Sequence, residues 1–185
     1  EMPRMDGVEF LRRLMPQFPL PVIMVSALTQ RGKKITIESL EAGAVDVVPK
    51  PSANVAQNLN EMMMELRTKV KIASTANVAY WKNRRPTERP GRTVPAPASL
   101  AESTDKVIAI GASTGGTEAI RRVIECFPPM TPGVVIVQHM PAGFTKAFAE
   151  RLNTLCLMEV KEAESGDRIM SGRILIAPGD YHLRV

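Results

Sequence analysis

The chain has 185 residues, of which 44% are hydrophobic and 23% charged, with a formal net charge of +5. A disordered chain is poorer in apolar residues and higher in net charge, so this one is globular. No apolar run approaches the ~20 residues of a membrane span, no signal peptide is visible, and the length allows one domain or parts of two. Cys126 and Cys156 stand among apolar residues and read as reduced core thiols of a cytosolic protein. The opening Glu1-Met2-Pro3 has no initiator, so more chain is expected upstream.

Asp6 and Glu9 have capping-box spacing ahead of Val8, Leu11, Leu14 and Met15, which predicts a helix over 7–15 ended by Pro16. Pro21 to Ser26 is a short apolar strand of the kind buried on both faces of a parallel sheet. A second helix is expected over roughly Arg31 to Ala42, closed by Gly43 in a left-handed conformation. Ala44 to Val48 forms the next strand, punctuated by Pro49-Lys50-Pro51. Val55, Leu59, Met62, Met63, Leu66 and Val70 then mark an amphipathic helix over 54–71, with the methionine triplet 62–64 as core filler plus one exposed residue. Such alternation indicates a parallel sheet whose sites gather at the carboxyl ends of its strands. Ser26 and Lys50 stand at two such ends. A hydroxyl and an ammonium there can hold a phosphoryl group, although Lys50 also reads as a solvated loop residue.

The positive charge is local. Residues 1–71 hold ten basic and eight acidic groups, 72–104 five and two, and 105–185 nine and nine. The excess lies in WKNRRPTERPGR, Trp81 to Arg92, followed by the Pro/Ala/Ser/Thr-rich TVPAPASLAEST. This is the composition of a solvated interdomain linker with nothing to bury. A basic recognition helix is absent, so nucleic-acid binding is not expected.

After the linker, the strand Lys106 to Ile110 runs into Gly111-Ala-Ser113-Thr-Gly115-Gly116. Ile120, Val123, Ile124 and Phe127 mark a helix stopped by Pro128-Pro129. The strand Gly133 to Gln138 leads directly to His139. Phe144, Phe148, Leu152 and Leu155 give another helical face, and Arg173 to Ala177 a later strand closed by Pro178-Gly179. In a second parallel unit of this kind, Ser113 and His139 share one rim. A serine hydroxyl becomes a nucleophile when a base within hydrogen-bond reach takes its proton, and histidine titrates in the right range. Gly111, Gly115 and Gly116 permit a sharp turn, and amides at the following helix start can stabilise an oxyanion. Ser113 satisfies G-x-S-x-G between strand and helix, but histidine follows only 26 residues later, at the end of the next strand, whereas the α/β-hydrolase order places the triad acid between serine and histidine. A phosphate-cradling turn is a second reading, though both nucleotide fingerprints fail. A purely structural turn is the third.

Met2-Pro3-Arg4-Met5-Asp6-Gly7, Ser26-Ala27 and Lys50-Pro51 together resemble the second half of a response-regulator receiver, a flavodoxin-like fold. VIAIGASTGG (107–116), Gln138-His139-Met140-Pro141 with Gly143-Phe144, and Ala177-Pro178-Gly179-Asp180 with His182 resemble the catalytic domain of the CheB chemotaxis methylesterases. The resemblance implies two partial α/β units with parallel sheets: a receiver over 1–71, a linker over 72–104 and a doubly wound methylesterase domain over 105–185. It implies hydrolysis of chemoreceptor glutamate methyl esters to glutamate and methanol, and receptor glutamine deamidation, in the cytoplasm and without membrane insertion. Ser113 becomes the nucleophile and His139 the general base and acid, with no esterase cofactor. Ser26 and Lys50 become the phosphorylation switch. The phosphorylated aspartate is expected two residues before Glu1, the acidic magnesium ligands further upstream, and the triad aspartate beyond Val185. Asp180 matches a different loop of the family and is not given that role. A chemotaxis histidine kinase would donate the phosphate that relieves masking of the esterase by the receiver. Residues 1–185 alone are expected to be inactive or nearly so. The alternative is a phospho-signalling fragment whose second domain is a non-catalytic nucleotide- or ligand-binding module.

Overall fold

The computed structural model describes residues 4–27, 29–51, 55–83 and 106–185. The Met2-Pro3 pair, residues 84–104 of the expected linker and Asp105 lie outside them. The chain forms two compact α/β units, Glu1–Thr87 and Glu88–Val185, each with a parallel sheet.

The first unit runs α1 (Gly7–Gln17), β1 (Ile23–Ala27), α2 (Gln30–Glu41), β2 (Asp46–Lys50) and α3 (Val55–Ala73), followed by a 3-10 turn at Ala79–Asn83. Asp6 caps α1 by accepting the Glu9 N–H at 2.8 Å, and Val8, Leu11 and Met15 bury the apolar face. The helix passes through Pro16 instead of ending there. Proline removes one i→i−4 bond, and the Phe18 N–H restores the ladder at Leu14 O, 2.8 Å away. Thr29 caps α2, and Gly43 follows it with φ +114°, the left-handed conformation expected of it. β1 and β2 pair in parallel with Ala27 opposite Lys50. Pro49 and Lys50 therefore belong to the strand that they were expected to punctuate. β1 is only half-buried, because one strand flanks it among the described residues.

The buried side of α3 carries Lys69 and Ala73, with Met62 and Leu66 half-buried and Leu59, Met63, Met64 and Val70 exposed. The apolar stripe is thus turned from the register its periodicity suggests, and two of the three methionines face outward. Trp81 departs further from expectation. Composition puts it at the head of the linker's basic run, yet it is 7% exposed. It packs on Gly43, where a Cβ would stand 3.1 Å from its ring and 2.8 Å from Met15. An indole removes so much apolar surface from water that it docks even inside a charged run.

The second unit runs β3 (Ile108–Ala112), α4 (Gly116–Ile124), β4 (Val134–Gln138), α5 (Phe144–Asn153), β5 (Glu159–Glu162) and β6 (Arg173–Ile176). Its four strands lie in the order β3-β4-β6-β5, all neighbours parallel. Val134, Ile136, Ile174 and Ile176 are fully buried, as are Ile124, Phe144 and Leu152 on the helices. Each such side chain contributes about 1.5–3 kcal/mol by leaving water. β5 was not expected, because Glu-Val-Lys-Glu has one apolar residue; charge of that kind suits an edge strand. Both cysteines are free, but Cys126 is exposed rather than in the core. Cys156 is partly buried, and desolvation, aided by the Glu125 charge, pushes its thiol up to about 12.

Candidate active site

β3 and β4 pair with Ala112 opposite Gln138, so Ser113 and His139, each the next residue, leave the sheet at the same carboxyl edge. Ser113 Oγ lies 3.4 Å from His139 Nδ1. This is long for a hydrogen bond between hydroxyl and imidazole, yet close enough to tighten when a substrate orders the site. Both side chains are exposed.

The turn that presents Ser113 is built by two of its three glycines. Gly115 has φ +79°, and a Cβ on Gly116 would stand 2.2 Å from Gln138 Oε1 and 2.6 Å from the Ala112 Cβ. Gly111 is different: it lies within β3, and a Cβ there would meet nothing within 4 Å. The Gly116 N–H donates to Ser113 O at 2.7 Å. That amide is already engaged, so it is available neither to an oxyanion nor to a bound phosphate. His139 N–H donates to Ala112 O at 3.0 Å, which fixes the base to the adjacent strand.

Two polar residues to which motif reading gives no role shape this rim. Gln138 is buried, and its amide nitrogen donates to Ser113 O at 3.0 Å and His139 O at 3.3 Å. Thr145 is fully buried, donates to Glu162 Oε1, and accepts the Gly179 N–H at 3.0 Å. That bond draws the loop after β6 onto the segment following His139. A Cβ on Gly179 would stand 2.6–2.7 Å from backbone atoms of Met140, Pro141 and Ala142. Asp180, with φ +66°, accepts the Ala142 N–H at 3.3 Å. A polar side chain closing an apolar strand, as in Val-Val-Ile-Val-Gln, is the signal that could have singled out Gln138.

In the first unit the parallel pairing places Ser26 and Lys50 on one edge of the β1–β2 ladder. Ser26 Oγ lies 3.5 Å from Gly32 O, and Lys50 is exposed. Among the described residues no cluster of three His, Cys, Asp or Glu side chains could hold a metal ion. No described helix is long and apolar enough to cross a membrane.

Residues 1–67 match the response regulator receiver domain, and residues 108–185 match the CheB methylesterase. The whole chain is 66% identical to a protein-glutamate methylesterase/protein-glutamine glutaminase of Syntrophotalea carbinolica, covering 52% of that protein. Residues 108–185 thus belong to the CheB methylesterase family and residues 1–67 to the receiver family. A Sulfurimonas denitrificans protein of the same name is 52% identical over 100% of the chain and 53% of its own length. The chain thus spans about half the length of the curated relatives it matches. Among solved structures, the Thermotoga maritima CheB methylesterase catalytic domain is 45% identical over 43% of this chain and 42% of that one, with a TM-score of 0.41. The receiver match precedes the esterase match along the chain, and both units have the parallel α/β architecture expected of them.

Proposed function

We propose that the protein containing this chain hydrolyses glutamate methyl esters on chemoreceptors, releasing methanol, and deamidates receptor glutamines by the same route. The observation that carries this reading is the Ser113 hydroxyl standing 3.4 Å from His139 Nδ1 on one exposed rim. His139 takes the serine proton as Oγ attacks the γ-carbonyl, then returns it to the departing methanol. Water activated by the same imidazole releases the glutamate and frees the serine. For a glutamine the leaving group is ammonia, and the product is the same carboxylate.

Regulation belongs to the proposal too. Ser26 and Lys50, at the carboxyl ends of two paired strands, are the groups that would read a phosphoryl group supplied by a histidine kinase. The hydroxyl would donate to it and the ammonium would pair with it. The receiver match fits a divalent metal, magnesium, in that phosphorylation. The described residues offer no ligand cluster for it, and no step here is derived through it. The esterase chemistry above uses side chains alone.

Methanol release from methylated receptor membranes tests the reading, comparing the full-length protein with its Ser113→Ala form. Loss of at least about a thousandfold in rate is expected for a nucleophile of this kind. Equal rates in the two proteins would end the serine-hydrolase assignment.

A further inference from the structure

Gln138 closes β4 one position before the base, and the residue is 5% exposed. Its amide reaches the carbonyls of both reacting residues, Ser113 at 3.0 Å and His139 at 3.3 Å. The nucleophile turn and the base are therefore tied twice. One tie is backbone to backbone, from His139 N–H to Ala112 O. The other runs through the Gln138 amide.

Packing alone does not call for this side chain. Gln138 Oε1 is buried with no hydrogen-bond partner among the described residues, and it fills the space that a Cβ on Gly116 would need. Methionine or leucine would occupy that volume without leaving a buried acceptor unpaired. What they lack is a donor: a primary amide offers two N–H bonds from one neutral nitrogen. Inverting the amide would set Oε1 against two carbonyl oxygens, so the neighbours fix its orientation. Moving either carbonyl moves the Cα that bears Oγ or the imidazole, and a displacement of ~1 Å at a reacting pair costs on the order of a hundredfold in rate.

We propose that Gln138 is a positioning residue for the Ser113–His139 pair, its side-chain amide clamping both carbonyls and so setting the span across which the serine proton passes. The proposal rests on the serine-hydrolase reading. Two variants of the full-length protein test it. Gln138→Met keeps the length of the side chain and removes both donors, and Gln138→Asn keeps the amide on a stem too short to span both carbonyls. In each, kcat falls roughly 10- to 100-fold while KM stays within about twofold, and labelling of Ser113 by a nitrophenyl phosphonate slows in parallel. The inflection of the pH–rate profile stays in place, because the base is still His139. A folded Gln138→Met protein with kcat near that of the wild type, or with only KM changed, overturns the clamp. A readout independent of turnover and of the variants' folding is solvent exchange of the Gln138 amide protons in wild-type protein labelled with 15N-glutamine. Exchange at least about a hundredfold slower than in an exposed glutamine is expected, and free exchange overturns the clamp. If the wild type releases no methanol and Ser113 takes no phosphonate, the hydrolase reading fails, and the exchange rate still decides whether the clamp exists.

Discussion

Gly116 and Gln138 are mutually exclusive with any side chain between them: a Cβ on Gly116 would lie 2.2 Å from Gln138 Oε1. Gly116→Ala must push aside a buried amide or the Ala112 strand end, 2.6 Å away. Overpacking of this kind costs about 1–3 kcal/mol, and here the strain falls on the Ser113 turn. Thermal melts and kcat should both drop for Gly116→Ala. Gly111→Ala in the same motif should change stability by less than about 0.5 kcal/mol, since its Cβ meets open space. Similar losses in the two variants would refute this account of the turn.

Lys69 is a buried cation with three partners. Its ammonium donates to Val47 O at 2.7 Å and pairs with Glu65 at 3.0 Å and Asp46 at 3.3 Å. The Asp46 contact is electrostatic, since Oδ2 receives no hydrogen bond. Lys69→Met keeps the apolar stem but strands Asp46, whose side chain is 13% exposed, while Glu65 at 34% can turn to water. Denaturant titration should register a loss of about 3 kcal/mol. Adding Asp46→Leu should recover much of it, because the pair is costly mainly when broken. A single variant as stable as the wild type would mean that the ion pair contributes nothing.

These particulars separate what the sequence declares from what only folding decides. Ser113 and His139 were legible because strand ends in a parallel sheet converge by topology, whatever the side chains around them. Ser26 and Lys50 were placed on one edge by the same reasoning. Element types followed from periodicity, but the orientation of α3 did not: the stripe of Leu59, Met63 and Val70 promises a core face, and the helix buries Lys69 instead. A buried lysine depends on Val47 O and Asp46 being within reach, which is tertiary information. Trp81 and Gln138 were obscured for related reasons. Composition averages one indole into a basic run, and a glutamine's worth depends on two carbonyls, one 25 residues before it and one on its next neighbour.

Asp167 makes stability depend on pH in the acid range. Its carboxylate accepts the Glu164 N–H at 2.7 Å and pairs with Lys161 at 3.0 Å. Those interactions, the backbone bond foremost, hold its pKa below the ordinary value. A lowered folded pKa means stabilisation that is complete above the unfolded value of about 3.9 and lost as pH falls through the folded one. Denaturant midpoints of the wild type and Asp167→Asn should therefore differ at pH 7 and converge below the folded pKa. A gap that stays constant with pH would show that the carboxylate charge is not involved.

Asp180 lies in the loop docked beside the base, and it offers a sharp test of what that loop does. If it completed a triad, replacing it with asparagine would leave the geometry intact and cost about 10⁴ in kcat through the wrong imidazole tautomer. Its observed contact is instead a bond accepted from Ala142 N–H, made from a left-handed backbone at φ +66°. Asparagine can do both: its oxygen accepts, and it tolerates that conformation better than most residues. Asp180→Asn should then keep kcat within about threefold of the wild type, whereas Asp180→Ala, lacking the acceptor and strained at positive φ, should lose about 1–2 kcal/mol of stability. Methanol-release kinetics and thermal melts on the two variants distinguish the roles. A thousandfold loss in Asp180→Asn would transfer the acid's role to this residue.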